Sequence, residues 1–99
     1  GKPTLNFDVL RHLREQTNIP FVLHGGTGIP PQDFLRAASL GICHVNIATA
    51  GFASLARGAR AQVESTRADD YFALSAAMVQ AVYENTKAHI RLFNQAGRT

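Results

Sequence analysis

Two short apolar segments constrain the fold of this chain more than any other feature. The first is "IPFVLH" at residues 19–24, and the second is "ICHVNIAT" at residues 42–49. Both are too short and too continuously apolar to be amphipathic helices, and a stretch with helical periodicity follows each of them. Parallel strands have this composition when helices cover both faces of their sheet. We therefore predict two buried parallel strands that alternate with helices.

Helical periodicity fills most of the remaining chain. Asn6 is a suitable N-cap for a first helix that ends near Thr17 and Asn18. The proline pair at residues 30–31 suits the first turn of a second helix, and Gly41 suits its end. The predicted apolar positions are Phe34, Leu35, Ala38 and Leu40 in the second helix, Phe52, Leu55, Ala59 and Val63 in the third, and, after the break "STRADD", Tyr71, Leu74, Met78, Val82, Asn85, His89 and Leu92 in the last.

The predicted order of elements is helix, strand, helix, strand, helix, helix. Two parallel strands are too few for a stable sheet, and a barrel of eight such units needs about 250 residues. The chain has 99 residues. We therefore predict an α/β fold, the C-terminal two βα units plus the terminal helices of a TIM (β/α)8 barrel, with residues 1–99 forming part of one barrel domain rather than an independent domain. The alternative is a small doubly wound domain, which needs more strands than the sequence offers.

Composition narrows the range of partners. The single cysteine, Cys43, excludes an internal disulfide and favours a cytoplasmic location. No apolar run is long enough to span a membrane, and the first residues lack a signal-peptide core, so neither a membrane partner nor export is expected. The net charge of +3 comes from scattered basic residues. This scatter disfavours nucleic-acid binding but is compatible with a small anionic substrate.

Side-chain alternation along the two strands predicts that His24 and Asn46 meet. Leu23 is expected to pack on the helices, so His24 faces the barrel axis at the carboxyl end of its strand, where barrel enzymes keep their catalytic groups. In the second strand Asn46 also faces the axis, and an amide there needs a polar partner. The expected inward side chains of this strand are His44, Asn46 and Ala48, and the expected helix-facing ones are Cys43, Val45 and Ile47.

The stretch "LHGGTGIPP" at residues 23–31 suggests an anion site. Its glycines allow successive backbone N–H groups around Gly25, Gly26 and Thr27 to point at one anion, with the threonine hydroxyl beside them. The second strand ends in "NIAT", so Thr49 and the residues after it can add N–H donors at a helix N-terminus. Phosphate sites in barrel enzymes commonly lie in the loops after the last two strands.

These motifs resemble a known family. "VLHGGTGIP" followed by "LGICHVNIAT" is similar to the C-terminal part of the class II, metal-dependent ketose-bisphosphate aldolases, and especially to the tagatose-bisphosphate branch. The resemblance extends over the whole chain, from "GKPTLNF" to the long terminal helix. It implies a lyase of carbohydrate metabolism that cleaves a ketose 1,6-bisphosphate of the tagatose or fructose type, as in glycolysis, to dihydroxyacetone phosphate and glyceraldehyde 3-phosphate.

The resemblance also implies residue roles. His24 is similar to one of three histidines that bind the catalytic zinc ion, Zn²⁺. The remaining zinc histidines and the catalytic aspartate of the family lie on earlier strands, so no catalytic residue is assigned in this segment, and we expect it to be inactive alone. The expected substrate-binding residues are Gly25, Gly26, Thr27, Asn46, Ile47, Ala48 and Thr49. The family pattern further implies a homodimer or homotetramer, and some relatives hold a monovalent cation near the glycine loop.

Two departures from the family pattern bear on substrate preference. Thr27 stands where serine is usual, and Ala50 stands where an acidic residue is frequent.

His44 lies two residues deeper than Asn46, so we expect a structural role for it and for Cys43. At the predicted site the structural alternatives are a hydrogen-bonded core histidine at 24, a tight turn at the glycines, a satisfied structural amide at 46 and a simple N-cap at 49.

Two other classes of function stay open from the sequence. One is a different phosphate-binding TIM-barrel enzyme, such as an isomerase or synthase that needs no metal. The other is a non-catalytic subunit, a partial barrel that supports a catalytic partner. The zinc content of the complete protein separates the first from an aldolase, and an assay with and without a partner separates the second.

Overall fold

A computed structural model describes residues 2–96 and contains the predicted order of elements. The six elements are α1 (Phe7–Gln16), β1 (Phe21–Leu23), α2 (Pro31–Ser39), β2 (Ile42–Val45), α3 (Thr49–Val63) and α4 (Tyr71–Ala96). The chain is therefore α/β, as predicted. Both strands are shorter than predicted, because the backbone leaves regular strand geometry just before His24 and just before Asn46.

Three helices begin as their sequences predict. The Asn6 side-chain oxygen accepts a hydrogen bond from the Val9 N–H at 3.1 Å and caps α1. Pro31 occupies the first turn of α2, where an N–H would lack an intrahelical partner in any case. Asp70 precedes α4 and accepts a hydrogen bond from the Ala73 N–H at 2.9 Å. This hydrogen bond is the main reason that the pKa of the Asp70 carboxyl is lowered; burial acts in the opposite direction, and the neighbouring Arg67 lowers the pKa further.

The two strands pair in parallel, but their register is irregular. Phe21 lies opposite Ile42, whereas Val22 lies opposite His44. Cys43 is therefore left without an opposite residue, as the extra residue of a β-bulge is. The prediction that Cys43 faces the helices together with Val45 is wrong, since Cys43 is exposed and its sulfur lies 3.5 Å from the Phe21 carbonyl oxygen. Strict alternation fails here because the irregularity interrupts the two-residue period.

The described residues form two compact units. One comprises the described parts of Gly1–Ile47 and Ile90–Thr99, and the other comprises Ala48–His89. Among the described residues, the buried apolar side chains all lie in the first unit, where the Phe34 ring also packs edge-on against Phe93 with centroids 5.3 Å apart. They are Ile29, Phe34, Ala37 and Ile42. In α2 the predicted apolar side is therefore partly wrong, because Ala37, one turn from Phe34, is buried, whereas Leu35, Ala38 and Leu40 are only half-buried.

In the second unit α3 packs on α4 through small residues. A Cβ atom on Gly58 would lie 2.8 Å from both the Ala77 carbonyl oxygen and the Ala81 Cβ, so the helices approach closely there. Ser54 is buried one turn earlier, and its hydroxyl donates to the Ala50 carbonyl at 2.8 Å. Small residues at steps of three and four, rather than large apolar ones, therefore form the contact face of α3.

This contact face corrects the predicted apolar side of α3 and the start of the α4 stripe. The prediction that Phe52 and Val63 pack inward is wrong, since they are 69% and 55% exposed and the helical turn of about 100° per residue directs both away from the small-residue face. Tyr71 is 71% exposed, since it lies before the part of α4 that α3 contacts. Within residues 2–96, no helix is both long and apolar enough to cross a membrane.

Candidate functional site

The backbone brings His24 and Asn46 side by side at the ends of the two strands. The Asn46 N–H donates to the Leu23 carbonyl at 2.9 Å, and the Asn46 carbonyl accepts from the Gly26 N–H at 2.9 Å. These two bonds continue the parallel pairing beyond the regular strands. Each side chain thus follows directly on a strand end, the edge at which parallel sheets carry their functional groups.

The side chains of three residues form one hydrogen-bonded group. Asn46 Nδ2 lies 2.8 Å from His24 Nδ1, and Asn46 Oδ1 lies 2.7 Å from His44 Nε2. The meeting of His24 and Asn46 predicted from strand alternation is therefore confirmed. The hydrogen bond between His44 and Asn46 was not predicted, although their spacing of two residues already placed both side chains on one face. All three side chains are exposed in this chain.

The amide of Asn46 links the tautomers of the two imidazoles. Its NH2 group can only donate and its oxygen can only accept. In this arrangement His44 donates its Nε2–H to the amide oxygen, and His24 accepts at Nδ1 with its own ring proton on Nε2. Because the lone pair of His24 Nδ1 is used by Asn46, a metal ion that binds this nitrogen must displace the amide.

The three glycines of the loop serve different purposes. Gly25 and Gly28 have φ angles of 71° and 84°, in the left-handed region that favours glycine. Gly26 is buried instead, and a Cβ atom there would lie 2.6 Å from Val45 Cγ1 and 3.2 Å from the Asn46 carbonyl oxygen. Its N–H group already donates to that oxygen. Gly26 thus allows the loop to lie against the end of β2.

We expect Gly26→Ala in the complete protein to destabilise the fold by about 1–3 kcal/mol, the usual cost of forcing extra atoms into a packed region. The matched control is Gly25→Ala. A Cβ on Gly25 meets nothing within 4 Å, so only backbone strain of about 1–2 kcal/mol is expected. Urea unfolding of both variants measures the two losses of stability. Equal stability of Gly26→Ala and wild type would show that the close packing of the loop is unimportant.

The second predicted substrate-binding segment leads into α3. Asn46 and Ile47 follow β2 directly, and the helix begins at Thr49 with Ala48 at its N-cap. The alternative that Thr49 is the N-cap is therefore wrong. The Ala48 side chain has no polar atom and makes no cap hydrogen bond to α3. The N-terminal end of a helix is the end that favours an anion.

The donor set for a metal ion is incomplete in this chain. Within residues 2–96, no three His, Cys, Asp or Glu side chains are grouped closely enough to hold one. A catalytic zinc site needs about three protein ligands. An exposed imidazole at a strand end, oriented by an amide, fits one ligand of such a set and no more. His24 is therefore compatible with a zinc site whose other ligands come from elsewhere.

Comparison with known proteins gives consistent matches. The chain is 34% identical over 98 residues to the uncharacterized protein YdjI of Escherichia coli strain K12, a match that covers 99% of this chain and 34% of the relative. It is 31% identical over 99 residues to a 6-phospho-5-dehydro-2-deoxy-D-gluconate aldolase of Halalkalibacterium halodurans, again covering 99% of this chain and 34% of the relative. The crystal structure of the YdjI aldolase from Escherichia coli K12 matches with a TM-score of 0.75 at 34% identity, over 97% of this chain and 36% of that one.

The chain spans about a third of the length of the curated relatives it matches. The sequence profile described as fructose-bisphosphate aldolase class-II matches residues 1–98. Because this match extends over nearly the whole chain rather than over one motif, the chain belongs to the class-II fructose-bisphosphate aldolase family.

Proposed function

We propose that the chain is the C-terminal part of a zinc-dependent aldolase with a TIM-barrel fold. The reaction is the cleavage of a ketose 1,6-bisphosphate of the tagatose or fructose type to dihydroxyacetone phosphate and glyceraldehyde 3-phosphate. The observation that carries the proposal is the contact between His24 and Asn46 at adjoining strand ends, next to a glycine loop, in a member of this family. His24 contributes one zinc ligand, and the segment supplies no catalytic acid or base.

The residues of this chain bind and orient the substrate. When bound, zinc supplies a Lewis acid that stabilises the negative charge left on the ketone half by carbon–carbon cleavage. The Asn46 amide presents an NH2 group beside the imidazole of His24, where it can donate to an oxygen at the reacting end of the substrate. Donors aimed at developing charge lower the barrier to reaction because they need no reorganisation.

The phosphate is held away from the reacting carbons. We assign this task to the residues that the family resemblance implies, Gly25, Gly26, Thr27, Ile47, Ala48 and Thr49. Gly26 contributes by allowing the loop to approach β2, since its own N–H donates to Asn46. Thr49 lies at the N-terminal end of α3, the end of a helix that favours an anion, and this position supports its assignment. Gripping a remote phosphate positions the reacting bond and so contributes to the rate.

A second candidate substrate comes from one relative. The Halalkalibacterium halodurans protein is named as an aldolase of 6-phospho-5-dehydro-2-deoxy-D-gluconate. That compound carries a phosphate on the carbon next to a ketone, as a ketose 1-phosphate does, but it ends in a carboxylate instead of a second phosphate. The same grip on the phosphorylated ketone half would serve both, so the residues that contact the other half decide between them.

The test is a cleavage assay on the complete enzyme. Tagatose 1,6-bisphosphate, fructose 1,6-bisphosphate and 6-phospho-5-dehydro-2-deoxy-D-gluconate are compared by kcat/KM, with release of dihydroxyacetone phosphate as the common readout. We expect activity with at least one of them, its loss on chelation and its return with zinc. Activity that survives complete removal of metal would contradict the proposal and favour a metal-independent barrel enzyme.

The hydroxyl of Thr27 allows a prediction about phosphate binding. Thr27→Val keeps the shape of the side chain but removes the hydroxyl, so KM for the phosphorylated substrate should rise by about tenfold, as expected for the loss of one hydrogen bond to a charged group. Thr27→Ser retains the hydroxyl and is the matched control. Steady-state kinetics of both variants check this, with bound zinc measured in parallel. An unchanged KM in Thr27→Val would remove the hydroxyl from the phosphate site.

The assembly and location of the complete protein follow from the same proposal. We expect the complete protein to be a cytoplasmic homodimer or homotetramer that binds a sugar phosphate. Sedimentation of the complete enzyme determines the oligomeric state. A monovalent cation near the glycine loop is a further expectation, tested by comparing activity in sodium, potassium and a bulky organic cation.

A further inference from the structure

His44 contacts Asn46 without belonging to the metal site or to the substrate-binding segments. Its Nε2 atom lies 2.7 Å from Asn46 Oδ1, at the end of the amide that faces away from His24. An asparagine amide can turn over and exchange the positions of its oxygen and nitrogen, so something must decide which atom faces His24. In this group of three side chains, His44 is the partner of the oxygen.

We propose that His44 is a positioning residue that holds the Asn46 amide with its NH2 group directed towards His24. This inference rests on the proposed function only for its effect on catalysis. With His44 as donor, the amide oxygen is occupied and the NH2 group is presented beside His24. The reversed amide would present an acceptor there, and an acceptor repels the negatively charged oxygen that aldol cleavage produces. His44 thereby makes Asn46 a donor.

The choice of amide orientation also fixes the tautomer of His24. If the Asn46 NH2 group donates to Nδ1, the neutral ring of His24 carries its proton on Nε2. If the amide turns over, Nδ1 must carry the proton instead. The two nitrogens of a metal-binding histidine are distinguished in this way by the partner of one of them. His44 therefore acts on His24 through Asn46, to which both imidazoles are hydrogen-bonded.

The tautomer can be measured without any metal or substrate. In the metal-free complete enzyme with 15N-labelled histidine rings, at a pH of about 8.5, where an ordinary imidazole is neutral, nitrogen chemical shifts separate protonated from unprotonated ring nitrogens. Loss of signals in His24→Gln identifies those of His24. We expect wild type to show a single His24 tautomer with the proton on Nε2. His44→Leu should give a mixture of tautomers, and His44→Gln, which can still donate to the amide oxygen, should restore the single form.

Two further variants keep the test decisive. His12→Leu makes the same change on an exposed residue of α1 and should leave the His24 tautomer unchanged. Asn46→Asp replaces the amide with a group that only accepts, so it should move the His24 proton to Nδ1 even if His44→Leu fails to fold. A single Nε2–H form in His44→Leu, or an Nδ1–H form in wild type, would overturn the proposal.

Kinetics of the complete enzyme supply the second readout. His44→Leu should lower kcat by about tenfold, within the range expected for loss of an outer partner of a metal site, with little change in KM, and His44→Gln should recover most of it. An unchanged kcat in His44→Leu would contradict the effect on catalysis. If wild-type enzyme cleaves none of the sugar phosphates, the proposed function fails, while the tautomer measurement still decides the role of His44.

Discussion

His24→Ala in the complete enzyme is expected to remove most of the bound zinc and nearly all aldol cleavage. A catalytic zinc ion with about three protein ligands cannot lose one without a large loss of affinity. The fall in kcat/KM should exceed the roughly 100-fold that accompanies loss of an outer partner. The fold should survive, because His24 is exposed and its side chain contacts the equally exposed Asn46.

Metal content and activity are to be measured on the same preparation. Zinc per chain is determined by atomic emission, and far-UV circular dichroism confirms that the fold is retained. His12→Ala is the matched control, since it removes an exposed imidazole from α1 instead of from a strand end. Full zinc occupancy in His24→Ala would remove His24 from the metal site, whereas normal activity with low zinc would contradict metal dependence itself.

Residues 1–99 produced alone should be unstable or aggregate, and should show no aldolase activity. The described part contains only four buried apolar side chains, two of them small or loop-borne, around a pair of strands. A two-stranded sheet has two unpaired edges, which are templates for association. Many large apolar side chains are more than half exposed or nearly so, among them Val9, Leu13, Ile19, Val22, Phe52, Val63, Tyr71, Phe72, Val79, Tyr83 and Ile90.

A complementation experiment tests whether the missing N-terminal segment restores the fold and the activity. When the N-terminal segment of the complete enzyme is supplied in trans, we expect solubility, zinc binding and cleavage activity to return together. Light scattering, urea unfolding and the cleavage assay follow the three properties. A soluble monomer of residues 1–99 that unfolds cooperatively and cleaves substrate with metal would refute both the incomplete donor set and the assignment to part of a barrel domain.

The order of elements was predictable because it depends on features that are local in sequence. Apolar continuity marks strands, and proline or asparagine marks helix starts such as those at Pro31 and Asn6. The approach of His24 to Asn46 was also predictable, since parallel strands align their carboxyl ends. These inferences need only the two-residue period of a strand and the parallel sense of the pair.

Other features depend on packing that no local pattern encodes. The register irregularity at Cys43 is decided by how β2 meets β1, not by the composition of either strand. The small-residue face of α3 was hidden because large apolar residues lie beside it in sequence, although Gly51, Ser54 and Gly58 recur at helical steps. The prediction that the Gly26 N–H points at an anion is likewise wrong, because this group donates to the Asn46 carbonyl, a partner twenty residues away that no local pattern reveals.

The bond between the Gly26 N–H and the Asn46 carbonyl has a consequence for altering substrate preference. Loops of barrel enzymes are attractive units to exchange between relatives, on the assumption that each can be replaced separately. Here the glycine loop is hydrogen-bonded to the segment after β2 at a residue where a side chain would be costly, so the two segments should be exchanged together. A graft that imports a new loop must therefore keep a glycine next to Asn46.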